Sequence, residues 1–245
     1  MIEARSLTKV FKDRKRGEVR AVQDVSFTCK PGEIYGLLGA NGAGKTTTLR
    51  MLATILQPTS GTAKVAGHDI VQHPEQVRTQ VGFLSTATAL YGRLSAREMV
   101  DYFGRLNGLR GDGLDRRRAE LFRLLGIEEF ADRRCDKLST GMKQKVSIAR
   151  TLVHDPPVMV FDEPTVGLDV MAARTIVSFI RDCRSRGKTV IFSTHVMSEA
   201  EKLCDVVGII HDGRLLAEGT LDELRRKSGH SDLEDIFVET VGAEA

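Results

Sequence analysis

Residues 39–46 have the composition of a phosphate-binding loop. They fit the pattern G-x-x-x-x-G-K-[ST], with an apolar strand predicted before them and a helix after them. Glycines let backbone N–H groups converge on phosphate oxygens, and the helix N-terminus adds partial positive charge. Lys45 supplies a cation to the β- and γ-phosphates, and the Thr46 hydroxyl ligates Mg²⁺. We therefore predict a nucleotide site made of Gly39, Ala40, Asn41, Gly42, Ala43, Gly44, Lys45, Thr46 and Thr47. The loop alone leaves kinases, GTPases, helicases and transport ATPases open.

Two carboxylates and a histidine follow two other apolar strands. Residues 158–161 precede Asp162 and Glu163. At the sheet edge beside the phosphate loop, Asp162 holds Mg²⁺ directly or through water, and Glu163 orients and deprotonates an attacking water. Residues 189–194 lead to His195, which in such a position contacts the γ-phosphate and senses its loss. A strand-end turn is the alternative interpretation of all three. We assign Thr46 and Asp162 to the metal, and Glu163 and His195 to catalysis.

The elements that position these side chains alternate as in an α/β sheet domain. Apolar runs predict strands over residues 2–10, 21–28, 33–38, 62–65, 158–161, 189–193, 206–210 and 214–218. Helices are predicted over residues 45–56, 170–186, 221–227 and 233–241. A capping box at Ser95 and Glu98 begins a helix that runs towards residue 107, and residues 112–125 have helical periodicity. We therefore expect one domain over residues 1–245, with an inserted, mainly helical lobe at about 87–155 and a tail at about 220–245.

Composition bounds the function and the compartment. The chain has 245 residues and a net charge of +3, which is too small to indicate a nucleic-acid partner. Its apolar stretches are far shorter than the roughly 20 residues that span a bilayer, and its N-terminus lacks the pattern of a signal peptide. The four cysteines have no metal-ligand or redox spacing, which favours reduced core thiols in a cytoplasmic protein.

Together these residues resemble the nucleotide-binding subunit of an ATP-binding cassette (ABC) transporter. Residues 138–144, Leu-Ser-Thr-Gly-Met-Lys-Gln, are similar to the family's signature, usually L-S-G-G-Q, and precede the acidic strand at the family's separation. The segment Gly167-Leu168-Asp169 resembles the loop after the acidic pair, and His195 resembles the switch histidine. Phe11 lies where the family places an aromatic ring on adenine; an ordinary core aromatic is the alternative.

The resemblance covers nearly the whole chain and implies a P-loop NTPase fold with ATP and Mg²⁺. It implies a RecA-like core with an N-terminal antiparallel β subdomain and a helical subdomain. Ser139 and Gly141 then lie at the start of a helix that ends near residue 154 and bind the γ-phosphate held by a second subunit. Asp169 is included in the nucleotide site. Two ATP molecules are sandwiched in a head-to-tail homodimer, or in a heterodimer with a related ATPase.

Two departures from the family's pattern stand out. The signature has Thr140 and Met142 at positions where Gly is usual or tolerated. Thr86 stands where the family carries the glutamine that touches Mg²⁺ and links the ATP site to the membrane partner. With residues 143–146 and 233–237, this pattern is similar to the NatA-type branch, associated with sodium export.

The leading hypothesis is an exporter's motor subunit, peripheral on the inner face of the cell membrane, with permease subunits on a separate chain. A soluble cassette ATPase that acts on ribosomes or nucleic acid is the alternative; such relatives usually carry two cassettes or a long coiled-coil insertion, and this chain has one phosphate loop and no sustained heptads. A third class, a nucleotide-binding regulator without turnover, is disfavoured because Lys45, Asp162, Glu163 and His195 are all present.

Overall fold

The chain forms two β-sheets and a set of helices around them in a computed structural model, which describes residues 1–13, 17–85 and 89–243. The strands of this part of the chain are β1 (Ile2–Asp13), β2 (Gly17–Cys29), β3 (Ile34–Leu38), β4 (Ser60–Val65), β5 (His68–Asp69), β6 (Val81–Ser85), β7 (Val158–Asp162), β8 (Thr189–Thr194), β9 (Val206–His211) and β10 (Arg214–Gly219). The α-helices are α1 (Lys45–Leu52), α2 (Pro74–Gln80), α3 (Ala96–Leu106), α4 (Gly111–Leu125), α5 (Thr140–Leu152), α6 (Val170–Ser185), α7 (Met197–Leu203), α8 (Leu221–Ser228) and α9 (Leu233–Gly242).

The larger sheet has the order β10-β9-β3-β8-β7-β6. Its strands are parallel apart from β10, which pairs antiparallel with β9. Every residue of β3, β7 and β8 is buried, as expected for central strands that are covered by helices on both faces. The carboxyl ends of these three strands lie side by side, and the candidate site residues follow them.

The smaller sheet is antiparallel, with the order β2-β1-β4-β5. One hydrophobic cluster joins it to the larger sheet and to α1, through residues such as Leu7, Val22, Leu37 and Leu49. The two sheets therefore share a core, and the phosphate loop lies at its edge. The α/β fold class with an antiparallel β sheet is confirmed.

Helices α3, α4 and α5 follow one another between β6 and β7 and share a second cluster with one face of the larger sheet. The predicted capping box is present: the Ser95 side chain accepts from the Glu98 N–H, and the Glu98 carboxylate accepts from the Ser95 N–H. Two arginines of α4 are largely shielded from solvent. Arg117 and Arg118 are each 16% exposed and pair with carboxylates of neighbouring segments.

A third cluster packs α7, α8 and α9 against β3 and β9. No helix in the described part of the chain is both long and apolar enough to cross a membrane. The predicted strands and helices are present, and the limits of α1, β1 and β2 differ most from those predicted. Helix α1 ends at Leu52 rather than Leu56, because Thr54 has a positive φ of 56° that breaks the helix. Strands β1 and β2 are both longer than predicted, because they pair with each other as far as Asp13 and Gly17. Helices α2 and α7 were not predicted, since each is only seven residues long.

Candidate nucleotide site

The phosphate loop connects β3 to α1 and is held by close backbone packing. A Cβ atom at Gly39 would lie 2.4 Å from the Ile210 carbonyl oxygen, and one at Gly44 would lie 2.6 Å from the Ala21 carbonyl oxygen. Gly44 also has a φ of 105°, which L-residues rarely adopt. By contrast, Gly42 has open space around it and lies on the exposed part of the loop with Ala40 and Asn41. The glycines thus fix the loop on one side and leave the other side accessible.

The N-terminus of α1 is free to bind an anion. Gly44 caps the helix without a side-chain hydrogen bond, and the first turn contains no acidic residue. The first N–H groups of an α-helix have no partner within the helix, so they are available to an external acceptor such as a phosphate. Ala43 and Lys45 are buried at this end, while Thr46 and Thr47 are partly exposed.

Lys45 projects back over the loop into a site that already contains a carboxylate. Its Nζ atom donates to the carbonyl oxygens of Gly39 at 2.7 Å and Ala40 at 3.0 Å, and lies 3.1 Å from Glu163 Oε1. The Lys45 side chain is 3% exposed, so this charge is well shielded from solvent. A buried ammonium ion at the end of the loop is suited to a terminal phosphate.

Asp162, at the end of β7, accepts hydrogen bonds from two hydroxyl groups. Its Oδ1 atom lies 2.9 Å from Thr46 Oγ1 and 2.9 Å from Ser193 Oγ. A hydroxyl oxygen and a carboxylate therefore meet at the first turn of α1, and both are oxygen ligands of the kind that Mg²⁺ prefers. The donor set at this position fits that ion when phosphate oxygens and water complete the coordination.

Glu163 is the first residue after β7 and has a positive φ of 46°. Its backbone N–H donates to Ser193 Oγ at 3.0 Å. In addition to Lys45, its Oε1 atom lies 3.4 Å from Nδ1 of His195. The carboxylate thus lies between the lysine of the phosphate loop and the histidine at the end of β8.

His195 is placed by Thr194, the last residue of β8. The Thr194 carbonyl oxygen accepts from the Gly39 N–H at 3.3 Å, which ties β8 to the start of the phosphate loop. The Thr194 hydroxyl donates to Glu199 and accepts from the Val196 N–H, and so fixes the turn into α7. The structure therefore brings together Lys45, Thr46, Asp162, Glu163 and His195, as the sequence predicted for neighbouring strands.

Ser139 and Gly141 belong to a different surface. Ser139 caps α5 and its hydroxyl accepts from the Met142 N–H at 3.3 Å; Gly141 has free space around it. Within the described ranges, no hydrogen bond or ion pair joins Ser139 or Gly141 to the phosphate loop. Asp169 caps α6 by accepting from the Ala172 N–H at 2.9 Å. In a single copy of the chain, Ser139 and Asp169 are thus helix caps, and Gly141 lies in the first turn of α5.

Phe11 lies on the small sheet with an exposed ring. It is 40% exposed and pairs with Val19, which is 38% exposed, across β1 and β2. Lys9 Nζ lies 5.3 Å from the centre of the Phe11 ring. The position is therefore not that of an ordinary core aromatic. Thr86 lies outside the described residues.

Sequence reasoning missed two kinds of site residue. Ser193 and Thr194 are within an apolar strand and were treated as part of it, although two adjacent hydroxyls in a fully buried strand are a usable signal. Gly213, in the turn between β9 and β10, donates its N–H to the Ala43 carbonyl oxygen at 3.0 Å. No local pattern indicated that this turn, about 170 residues away along the chain, supports the phosphate loop.

This fold agrees with comparisons to known proteins. The sequence model of the ABC transporter family matches residues 22–166, and the chain belongs to this family. The chain is 42% identical over 239 residues to the ABC transporter ATP-binding protein NatA of Bacillus subtilis (strain 168), covering 97% of each protein. It is 37% identical to the probable multidrug ABC transporter ATP-binding protein YbhF of Escherichia coli (strain K12), covering 98% of this chain and 40% of that protein.

Solved structures give the same result. The ATP-binding subunit of an ABC transporter superposes with a TM-score of 0.87 at 30% identity, covering 98% of this chain and 99% of that one. A dimeric ATP-binding cassette in a post-hydrolysis state, bound to ADP and Pi, has a TM-score of 0.81 at 26% identity, covering 90% and 98%. The chain is therefore an ATP-binding subunit of an ABC transporter and an ATPase, similar to NatA.

Proposed function

We propose that this chain hydrolyses Mg-ATP in a head-to-tail dimer and so drives export through membrane-spanning subunits on a separate chain. The observation that carries the proposal is the division of the site. Lys45, Asp162 and Glu163 meet around one end of α1, whereas Ser139 caps a helix that does not reach them. A second copy of the chain supplies the missing half when its Ser139 and Gly141 face the γ-phosphate.

In this proposal each residue has one task. Lys45 and the amide groups of the phosphate loop bind the phosphates, and Phe11 stacks on adenine. Thr46 and Asp162 hold Mg²⁺, which neutralises charge on the phosphate oxygens. Glu163 accepts a proton from the attacking water at a carboxylate oxygen, and His195 contacts the γ-phosphate. Loss of that phosphate removes the group that both copies hold, so the dimer opens.

Exposed apolar residues beside Asp169 support the dimer. Val166, Val170 and Met171 are 41%, 69% and 71% exposed, which is unusual for three large side chains so close together. They flank the Asp169 cap of α6, and Gly141 lies near it around a shared small cavity with Met171. A second copy that covers this surface would bury these side chains.

The dimer is tested by mixing two inactive variants. Lys45→Ala disables the phosphate loop, and Gly141→Asp places a negative charge where the other copy's γ-phosphate lies. In an equal mixture about half of the dimers contain one copy of each variant, and one of the two composite sites in each such dimer is intact. The mixture should therefore recover about a quarter of the wild-type turnover. No recovery, with both variants folded and mixing verified, contradicts a site built from two chains.

The chemistry is tested by Glu163→Gln, with Glu120→Gln on α4 as a control that makes the same charge change far from the site. Glu163→Gln should retain ATP binding, lose nearly all hydrolysis and accumulate as an ATP-bound dimer. Glu120→Gln should behave as wild type. Unchanged turnover in Glu163→Gln would remove Glu163 from its proposed role.

The membrane partner is proposed to dock at a cavity of about 580 Å³ at the edge of β6. Its lining includes Arg50, Ile55, Phe103 and His154, which belong to α1, α3 and α5 or the turns after them. Ile55 is 58% exposed there. Ile55→Arg should therefore reduce co-purification with a multi-span partner, whereas Val238→Arg, at a 64% exposed position on α9, should not. Equal recovery of the partner with both variants contradicts this docking site.

We propose sodium ions as the cargo, because the residue pattern is similar to the NatA-type branch and the chain is 42% identical to NatA. Vesicles that contain the purified complex should transport ²²Na⁺ when ATP is supplied. A lack of ²²Na⁺ transport would contradict sodium as the cargo.

The proposed partner also gives the proposed location, which is the inner face of the cell membrane. We further propose that residues 1–245 act as one nucleotide-binding domain, with residues 87–155 as its helical subdomain and residues 220–245 as a tail.

A further inference from the structure

The Ser193 hydroxyl joins two residues of the site through one oxygen atom. Ser193 is fully buried in β8, and the parallel register pairs it with Asp162 in β7. Its Oγ atom lies 2.9 Å from Asp162 Oδ1 and 3.0 Å from the Glu163 backbone nitrogen. Because the Glu163 N–H can only donate, the hydroxyl accepts from it and directs its own proton to the Asp162 carboxylate.

Glu163 needs such a contact because its backbone is strained. A positive φ of 46° is unfavourable for a residue with a Cβ atom, so the surrounding structure must hold it in place. Strand β7 ends at Asp162, and the Glu163 N–H therefore has no partner in the sheet. The Ser193 hydroxyl supplies that partner and leaves the carboxylate free to reach Lys45 and His195.

Asp162 is oriented by the same contact. Its Oδ1 atom accepts from Ser193 on one side and from Thr46 on the other. Thr46 and Asp162 would hold Mg²⁺, and the Ser193 hydroxyl would still donate to Asp162 and hold its carboxylate in this rotamer. A carboxylate held in advance loses less conformational entropy when it binds a cation.

We propose that Ser193 is a positioning residue for hydrolysis: one hydroxyl fixes both the metal-binding carboxylate of Asp162 and the strained peptide of Glu163. This inference rests on the proposed roles of Asp162 and Glu163. It does not require Ser193 to touch ATP, and it predicts an effect on turnover and metal requirement with little effect on nucleotide affinity.

The test is Ser193→Ala, compared with Thr62→Val. Thr62 donates its hydroxyl to Asp69 at 2.9 Å, so the control removes a hydroxyl–carboxylate hydrogen bond of the same length outside the site. Ser193→Ala should lower kcat roughly tenfold or more and leave the KM for ATP within about twofold, because misplacement of catalytic groups affects the chemical step. Thr62→Val should change neither constant.

A second measurement does not depend on turnover. In a Glu163→Gln background, the Mg²⁺ concentration that half-saturates formation of the ATP-bound dimer should rise roughly threefold when Ser193→Ala is added, since Asp162 is then less well oriented. Thermal unfolding of each variant checks the fold. Should Ser193→Ala not fold, Ser193→Cys replaces it, because a thiol of similar size makes only weak hydrogen bonds and should give the same shifts.

The outcomes separate this inference from the proposed function. If Glu163→Gln is impaired but Ser193→Ala or Ser193→Cys has wild-type kcat and Mg²⁺ requirement, the role of Ser193 is overturned alone. A lower melting temperature with an unchanged Mg²⁺ requirement also overturns it, since Ser193 would then only support the fold. If Glu163→Gln itself turns over normally, the proposed function fails first.

Discussion

The ammonium nitrogen of Lys45 lies 3.1 Å from a carboxylate oxygen of Glu163, so the residue proposed to bind phosphate and the residue proposed to activate water form an ion pair. Their side chains are 3% and 22% exposed. With Gly39 and Ala40 as further acceptors, all three donors of the ammonium group have partners. A phosphate that reaches Lys45 must therefore compete with Glu163, and its arrival releases the carboxylate.

This competition predicts that Glu163→Gln binds ATP more tightly than the wild-type protein does. The effect is separate from its expected loss of hydrolysis. Without the carboxylate, Lys45 is available and no negative charge faces the γ-phosphate. We expect the dissociation constant for ATP, measured by calorimetry without Mg²⁺ so that no hydrolysis occurs, to fall about fivefold, equivalent to about 1 kcal/mol. Glu120→Gln should leave it unchanged. A weaker or equal affinity of Glu163→Gln argues against the competition.

Gly213 should support the phosphate loop in a way that a matched glycine does not. Gly213 and Gly229 have φ angles of 77° and 78°, but a Cβ at Gly213 would lie 2.9 Å from the Ala21 carbonyl oxygen, and one at Gly229 would meet nothing within 4 Å. Gly213→Ala should displace the turn from Ala43 and raise the KM for ATP by about tenfold. Gly229→Ala should lower the free energy of unfolding by about 1 kcal/mol, because of the strain of its positive φ alone, and should leave the KM for ATP unchanged. A similar KM for both variants means that the turn does not hold the loop.

His154 should make stability depend on pH. Burial lowers the pKa of His154 below its ordinary value of 6.5, and its Nδ1 atom has no hydrogen-bond partner among the described residues. Because the folded state then binds its proton less readily than the unfolded state, this contribution to stability is present above about pH 6.5 and is lost as the pH falls below it.

The measurement compares thermal unfolding of wild type and His154→Gln between about pH 7.5 and about pH 5.5. Glutamine keeps an amide that can donate to the Val81 carbonyl oxygen, which His154 Nε2 contacts at 3.3 Å. The melting temperature of wild type should fall relative to that of His154→Gln as the solution becomes more acidic. If the difference in melting temperature between the two proteins stays constant over this pH range, His154 is not the group that makes stability depend on pH.

The Arg118–Asp101 ion pair should stabilise the packing of α4 on α3. The two side chains are 16% and 17% exposed, and the contact is 2.6 Å long. Asp101→Asn should lower the free energy of unfolding by about 2 kcal/mol, since it leaves a largely buried guanidinium group that is paired, among the described residues, only with the more exposed Asp115. The exposed pair Arg97–Asp132 offers a control. Asp132→Asn should leave the free energy of unfolding, measured by chemical denaturation, nearly unchanged. Equal effects of the two variants would contradict the role of burial.

Much of the site was accessible from the sequence because its chemistry is encoded locally. The phosphate loop needs glycines, a lysine and a hydroxyl residue at fixed offsets, and these lie within residues 39–46. Asp162, Glu163 and His195 each end an apolar run, and parallel strands bring such ends to one edge. The longer limits of β1 and β2 and the early end of α1 were not predictable in this way, since cross-strand pairing and the backbone turn at Thr54 decide them.

By itself, the sequence determined the fold class, the phosphate loop and the residue types of the site, because hydrophobic periodicity and local backbone geometry act over a few residues. The tertiary structure decided which groups meet. The pairing of Lys45 with Glu163, the shared Ser193 hydroxyl and the contact of Gly213 with Ala43 join segments that are far apart in the chain. Strand order and register set these distances, and both depend on how the whole core packs.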